Sequence, residues 1–161
     1  MSLDAPIGEA VDGRGHRIAV VASRYNGEFV ESLLRRLQGV LSTAGVAEDD
    51  IEVLRVPGSL ELPYAVNELA RSKRFHCVVA LGVVIAGQTD HHHVVGTNAS
   101  RALQDIAVSA RVPVINGVVV VSDRGQAEAR CGDEIDRGGE FGRAALAMAH
   151  VSKKLRSGVQ P

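Results

Sequence analysis

Nine consecutive residues, Cys-Val-Val-Ala-Leu-Gly-Val-Val-Ile at positions 77–85, carry no charge. A strand with one wet face alternates polar with apolar residues, whereas a strand apolar at nearly every position belongs to a sheet covered by helices on both sides. Polar and imidazole side chains follow at once, in Ala86-Gly87-Gln88-Thr89-Asp90-His91. In an open parallel sheet the carboxyl edge of the strands is where ligands bind. Backbone amides at the start of a following helix can hold a phosphate there, with the titratable His91 close by.

The rest of the chain repeats this alternation. Ile18 to Ala22 is a short strand ending at Ser23-Arg24-Tyr25-Asn26-Gly27. Phe29, Val30, Leu33, Leu34, Leu37, Val40 and Leu41 then recur at helical spacing, and Gly45 stops that helix. Ile51 to Val56 predicts a second strand, ended by Pro57-Gly58. Ser59 stands where it could cap a helix whose apolar face is Leu62, Ala65, Val66, Leu69 and Ala70. A third helix is expected from near His91 to Ala110, with Val95, Ala99, Ala102, Leu103, Ile106 and Ala110 inward. Val114 to Val121 is the fourth strand. A Gly-rich, charged segment leads to a last helix with Phe141, Ala144, Ala145, Met148 and Ala149 on its inner face. Residues 1–15 lack periodicity and are expected to form a flexible arm before a domain over 16–157. Strands alternating with helices imply right-handed crossovers and one α/β domain, a three-layer α/β/α sandwich with a four-stranded parallel sheet.

With 161 residues the chain has room for one complete core. Basic and acidic residues nearly cancel, 18 against 19, so no electrostatic footprint for nucleic acid exists. Aromatics at 3% and the absence of Trp leave no base-stacking platform. Cys77 and Cys131 have no metal spacing and are read as reduced thiols of a cytoplasmic protein, a disulfide being the lesser alternative. No signal-peptide pattern or membrane-spanning run is seen, so no membrane partner is expected.

Polar and glycine signals after successive strands should gather at one edge: Arg24-Tyr25-Asn26, Pro57-Gly58-Ser59-Leu60-Glu61, Gly87-Gln88-Thr89-Asp90-His91, and Asn116-Gly117 in the fourth strand region. Five blocks in order resemble the lumazine synthase family. They are Arg-Tyr-Asn; Val-Pro-Gly-Ser-x-Glu-Leu-Pro; Ala-Leu-Gly-x-Val-Ile-x-Gly-x-Thr-x-His; Pro-Val-x-Asn-Gly-Val; and Gln-Ala-x-x-Arg before the last helix. The similarity covers roughly residues 17–150.

The resemblance implies a flavodoxin-like version of the three-layer fold and a step near the end of riboflavin biosynthesis. 5-Amino-6-(D-ribitylamino)uracil condenses with 3,4-dihydroxy-2-butanone 4-phosphate to 6,7-dimethyl-8-ribityllumazine, phosphate and water, with no metal or organic cofactor. It implies that Tyr25 stacks on the pyrimidine, that Ser59, Leu60 and Glu61 meet the ribityl chain, and that Val83, Val84 and Ile85 line the pyrimidine side. Gln88, Thr89 and Arg130 match phosphate contacts, and His91 matches the proton carrier. Asn116 and Arg137 complete the implied set. Sites in the family lie between neighbouring subunits, so the resemblance implies a homo-oligomer, a pentamer or a multiple of pentamers. In it Asn116 and Arg130 would face Tyr25, Glu61 and His91 of the next chain. Riboflavin synthase is a further implied partner.

The chain departs from the family's usual pattern at Ala86, where arginine is common, and at His92-His93-Val94, where an aromatic, an acid and an aromatic are usual. Asn116 stands where many members have phenylalanine, and Arg137 where lysine is common. A metal site on His91-His92-His93 is disfavoured, because consecutive residues project in different directions and known zinc patterns use wider spacing. Two other classes compete with the enzyme. A non-catalytic lumazine or riboflavin carrier would keep Tyr25 and Glu61 but leave His91 and Arg130 without purpose. A flavodoxin-like electron carrier would need a Ser/Thr-rich phosphate loop after the first strand, which is missing.

Overall fold

The computed structural model describes residues 11–158. Four strands, β1 (Ile18–Ser23), β2 (Ile51–Val56), β3 (Cys77–Ile85) and β4 (Val114–Val121), pair in parallel in the order β2-β1-β3-β4. Helices α1 (Gly27–Thr43), α4 (Arg124–Cys131) and α5 (Arg137–Arg156) cover one face. The other face carries α2 (Leu62–Arg71) and α3 (His91–Ala110). The three-layer sandwich expected from the alternation of apolar runs is present, and Cys77 through Val83 are buried between its layers. Side chains of β1 alternate accordingly: Ile18, Val20 and Ala22 join one core cluster, Ala19 and Val21 the other.

Two elements differ from the sequence expectation. Residues 124–131 form α4, a helix inside the segment described above only as Gly-rich and charged. Its eight residues span too few turns to show a face, and it is set by a local cap: the Asp123 carboxylate accepts the Gln126 N–H at 2.9 Å. On α5 the expected inner face included Met148, but Met148 is 40% exposed. The buried set is instead Gly138, Gly139, Gly142, Ala145, Leu146, Ala149 and Ser152. A hydrophobicity pattern favours Met over Gly, yet this helix docks through its smallest residues. A methyl group on Gly142 would lie 3.0 Å from Val40 Cβ and 3.1 Å from the Leu37 carbonyl oxygen of α1, so the two helices meet nearly backbone to backbone.

Residues 1–10 of the expected arm lie outside the described residues. Beyond them Val11 packs against the α1-side core, and buried Gly13 donates its N–H to the Ala44 carbonyl at 2.7 Å. No helix of the described residues is long and apolar enough to cross a membrane.

Candidate active site

Strands β1 and β2 end in register, Ser23 opposite Val56, and the loops that follow are stitched together. The Arg24 N–H donates to the Val56 carbonyl at 2.9 Å, and the Tyr25 N–H to that of Pro57 at 3.2 Å. This leaves the Tyr25 ring 74% exposed at the carboxyl edge. Beneath it lies Gly58, where an added Cβ would sit 3.3 Å from Tyr25 Cδ2 and 2.9 Å from a Glu61 carboxylate oxygen. That oxygen accepts the Gly58 N–H at 2.8 Å. A bare glycine backbone therefore lets a phenol ring and a carboxylate share one floor.

Two further contacts tie this floor to β3. Asn26 sits in the left-handed region, φ 54°, and its side-chain amide donates to the Val83 carbonyl at 2.8 Å. Buried Ser59 places its hydroxyl where a methyl on Gly82 would otherwise lie, 2.5 Å away. Ser59 does not cap α2. The cap position belongs to Glu61, no side chain bonds there, and Leu60 between them is 47% exposed. Asn26 was expected only as part of the Arg24-Tyr25-Asn26 edge loop, with no role of its own. Its signal was an asparagine before glycine at a helix start, the residue type best able to combine a left-handed backbone with a side-chain donor. Asn26→Ala should destabilise by roughly 1–2 kcal/mol more than the loss of its bond alone. Asn26→Gly should show only the bond's share, and urea unfolding of the two variants separates the contributions.

From Val83 the strand climbs out of the core, with Val84 and Ile85 half-buried, and the Ala86 N–H extends the ladder to the Val121 carbonyl at 2.9 Å. Gln88 and Thr89 are exposed on the turn that leads into α3. His91 is the first residue of α3 and exposed; among the described residues no side chain caps this helix. His92 Nδ1 lies 3.3 Å from the Thr89 carbonyl oxygen, and the His92 and His93 rings are 4.0 Å apart. Among the described residues no group of three His, Cys, Asp or Glu is placed to hold a metal ion.

One chain does not unite every expected residue. Asn116 was expected at the carboxyl edge but pairs with Ala80, five positions before β4 ends at Val121. β4 runs over Val114–Val121 as expected, so Asn-Gly lies inside the strand: four valines continue it, and Gly117 packs under Phe141, 3.1 Å from a would-be Cβ. Asn116 donates to Ser100 Oγ of α3 at 2.9 Å and accepts the Val118 N–H at 3.1 Å. Arg130 lies in α4, half-buried, and donates to the Gln126 carbonyl at 3.3 Å. That helix packs on the α1 side of the sheet, whereas His91 opens α3 on the other side. Arg137 opens α5 and pairs with Glu140. The start of α5 is level with Leu33 of α1, about 9 Å along that helix from Gly27.

Tyr25, Gly58, Glu61, the end of β3 and His91 thus share one edge, while Asn116, Arg130 and Arg137 lie elsewhere on the same chain. Comparison with known proteins matches the same span. The sequence model of a family described as 6,7-dimethyl-8-ribityllumazine synthase matches residues 15–153. The chain is 40% identical over 141 residues to the 6,7-dimethyl-8-ribityllumazine synthase of Nitrosomonas europaea, covering 88% of this chain and 84% of that protein. It is 39% identical over 157 residues to the enzyme of that name from Nitrobacter hamburgensis, covering 94% of each. With the one from Pyrococcus furiosus it shares 37% over 143 residues, 89% of each. The match takes in every element from β1 to the greater part of α5, and with it each edge loop just described, so the chain belongs to the 6,7-dimethyl-8-ribityllumazine synthase family.

Proposed function

We propose that this chain condenses 5-amino-6-(D-ribitylamino)uracil with 3,4-dihydroxy-2-butanone 4-phosphate to give 6,7-dimethyl-8-ribityllumazine, phosphate and water. The observation that carries this is the floor at Gly58, where a solvent-facing aromatic ring and a held carboxylate stand side by side in a member of that family. A flat heterocycle stacks on Tyr25, and its polyol tail meets Glu61, Ser59 and the Leu60 backbone. Backbone groups of Val83, Val84 and Ile85 face the pyrimidine edge. Gln88 and Thr89, before the start of α3, suit the phosphate, since a helix N-terminus presents backbone N–H groups and the positive end of its dipole. His91 carries the proton between imine formation, phosphate elimination and ring closure.

Nucleophilic thiol chemistry has no support. Cys77 and Cys131 are buried and free, and burial pushes their thiols up to about 12 and about 11. Two unpaired buried cysteines suit a reducing cytoplasm, where we place the protein.

We also propose a homopentamer, or a multiple of it, in which the neighbour supplies Asn116, Arg130 and Arg137 to the edge of Tyr25 and His91. The separation of the two residue sets within one chain supports this. So do apolar side chains left exposed on and beside the site, among them Leu60, Tyr64, Val94 and Val120. Light scattering should return a mass of at least five chains of 17.0 kDa. Riboflavin synthase is the enzyme partner implied by the product.

A steady-state assay with both substrates tests the reaction. Lumazine and phosphate should appear together. A sample that retains a yellow ligand without turnover would instead be a carrier. Arg130→Ala should raise KM for the phosphorylated butanone about tenfold to a hundredfold, the scale of one hydrogen bond to a charged group, while KM for the pyrimidine stays within about twofold. A pyrimidine-selective defect would remove Arg130 from the phosphate.

A further inference from the structure

The edge of the sheet opposite the site holds a second group of titratable side chains. His16, just before β1, is 3% exposed, and its Nδ1 has no hydrogen-bond partner among the described residues. Its ring lies edge-on to His76, 5.6 Å between centroids, and to His150 of α5, at 6.3 Å. His76 is committed too: its ring Nδ1 accepts the Arg17 backbone N–H at 2.9 Å, while the His76 backbone N–H donates to the Arg17 carbonyl at 2.8 Å. An acceptor nitrogen carries no proton, so that bond exists only with a neutral His76 ring. Both imidazoles fasten residues 11–17 to the body of the domain.

The surrounding charges oppose protonation. From α5 the cations Lys153 and Arg156 face this group together with His150, and Arg17 faces it from β1's lead-in. Among the described residues the nearby acids are Asp12 and Asp50. Asp12 is gripped by the Arg14 guanidinium through both oxygens, which holds its carboxyl down at about 2, and Asp50 lies 3.5 Å from Arg17 Nε. Burial first, then the His76 ring, Lys153 and the His150 ring, hold His16 below the ordinary histidine range; burial, then Lys153, Arg156 and Arg17, do the same for His76.

We propose that His16 and His76 form an acid-sensitive latch, which holds residues 11–17 on the amino edge of the sheet while both rings are neutral and releases them on protonation. The sign follows from linkage. Both rings bind a proton more weakly when docked than when free. Docking is therefore at full strength above about pH 6.5 and weakens as pH falls below that value toward the docked pKa values. Each titrating ring contributes up to about tenfold per pH unit in that window.

Hydrogen–deuterium exchange of the full chain, corrected for intrinsic rates between pH 5 and 8, tests the latch. The peptide covering 11–18 should lose at least about tenfold in protection from pH 7 to pH 5 relative to β3 and α1 peptides. His16→Phe should remove one ring's share of this dependence and leave that of His76, and Lys153→Gln should make it shallower by easing the repulsion. Ring titration by NMR gives a readout that does not need a variant to fold. Midpoints of His16 and His76 below 6.5 support the latch, and midpoints at or above it overturn it. Protection of 11–18 that is independent of pH in the wild type overturns it as well.

Discussion

Alanine in place of His91 is expected to lower turnover about a hundredfold to ten-thousandfold, the usual contribution of a placed proton carrier, while the pyrimidine still binds within about twofold of wild type. The split follows from where the residue stands. His91 opens α3, and among the described residues no hydrogen bond or ion pair connects it to Tyr25, Gly58 or Glu61. Removing the imidazole therefore leaves the stacking floor and its carboxylate as they are. Condensing an amine with a ketone, expelling phosphate and closing a ring each move a proton, and an imidazole serves both directions near neutrality. His92 and His93 are the controls. His92 lies against the Thr89 carbonyl, so His92→Ala should disturb the turn that carries Gln88 and Thr89 and act chiefly on KM for the phosphorylated substrate. Measured kcat and pyrimidine Kd for the three single variants decide the matter. Unchanged kcat in His91→Ala would remove the proton-transfer role from that residue.

The strands and the edge they share were legible because β3 and its neighbours encode burial directly: nine uncharged residues admit few other placements. The floor under Tyr25 was legible only as motif blocks. Nothing in Val-Pro-Gly-Ser-Leu-Glu announces that the Glu61 carboxylate turns back onto the Gly58 amide, because that contact depends on a loop conformation. Asn116 was misplaced for another reason: its strand was expected over Val114–Val121, yet the residue was grouped with the edge loops. Asn-Gly is a strong local turn signal, yet the valines after it and Phe141 over Gly117 kept the strand running, so tertiary packing overrode the local preference. In α5 the error lay in equating hydrophobic with buried. Met148 lies off the face that meets α1, which is built of small residues, and the sequence records that close seating only as a row of glycines and alanines.

That row yields the second large effect, and magnitudes settle its sign. In an open helix, Gly→Ala stabilises by about 0.8–1 kcal/mol through backbone entropy and helix propensity. Gly39 of α1 is such a position, with nothing within 4 Å of a would-be Cβ, so Gly39→Ala should gain up to that amount. At Gly138 the same methyl would lie 2.5 Å from the Leu33 carbonyl oxygen, 2.8 Å from Arg36 Cβ and 3.0 Å from Leu33 Cα. Two of those three atoms are backbone of a helix whose Leu33 and Leu37 are fully buried, and none is the free end of a flexible side chain. The clash can be relieved only by pushing α5 off α1, which overpacking at typical cost prices at about 1–3 kcal/mol and which cancels any propensity gain. Gly138→Ala should therefore lower Tm by several degrees, at about 2–4 °C per kcal/mol for a chain of this size, and Gly138→Val by more. Both variants are compared at one protein concentration, since assembly shifts apparent stability. The same chemical change then moves Tm up at Gly39 and down at Gly138. Shifts of one sign at both positions would mean that the close seating of α5 on α1 is not what holds that face of the sheet.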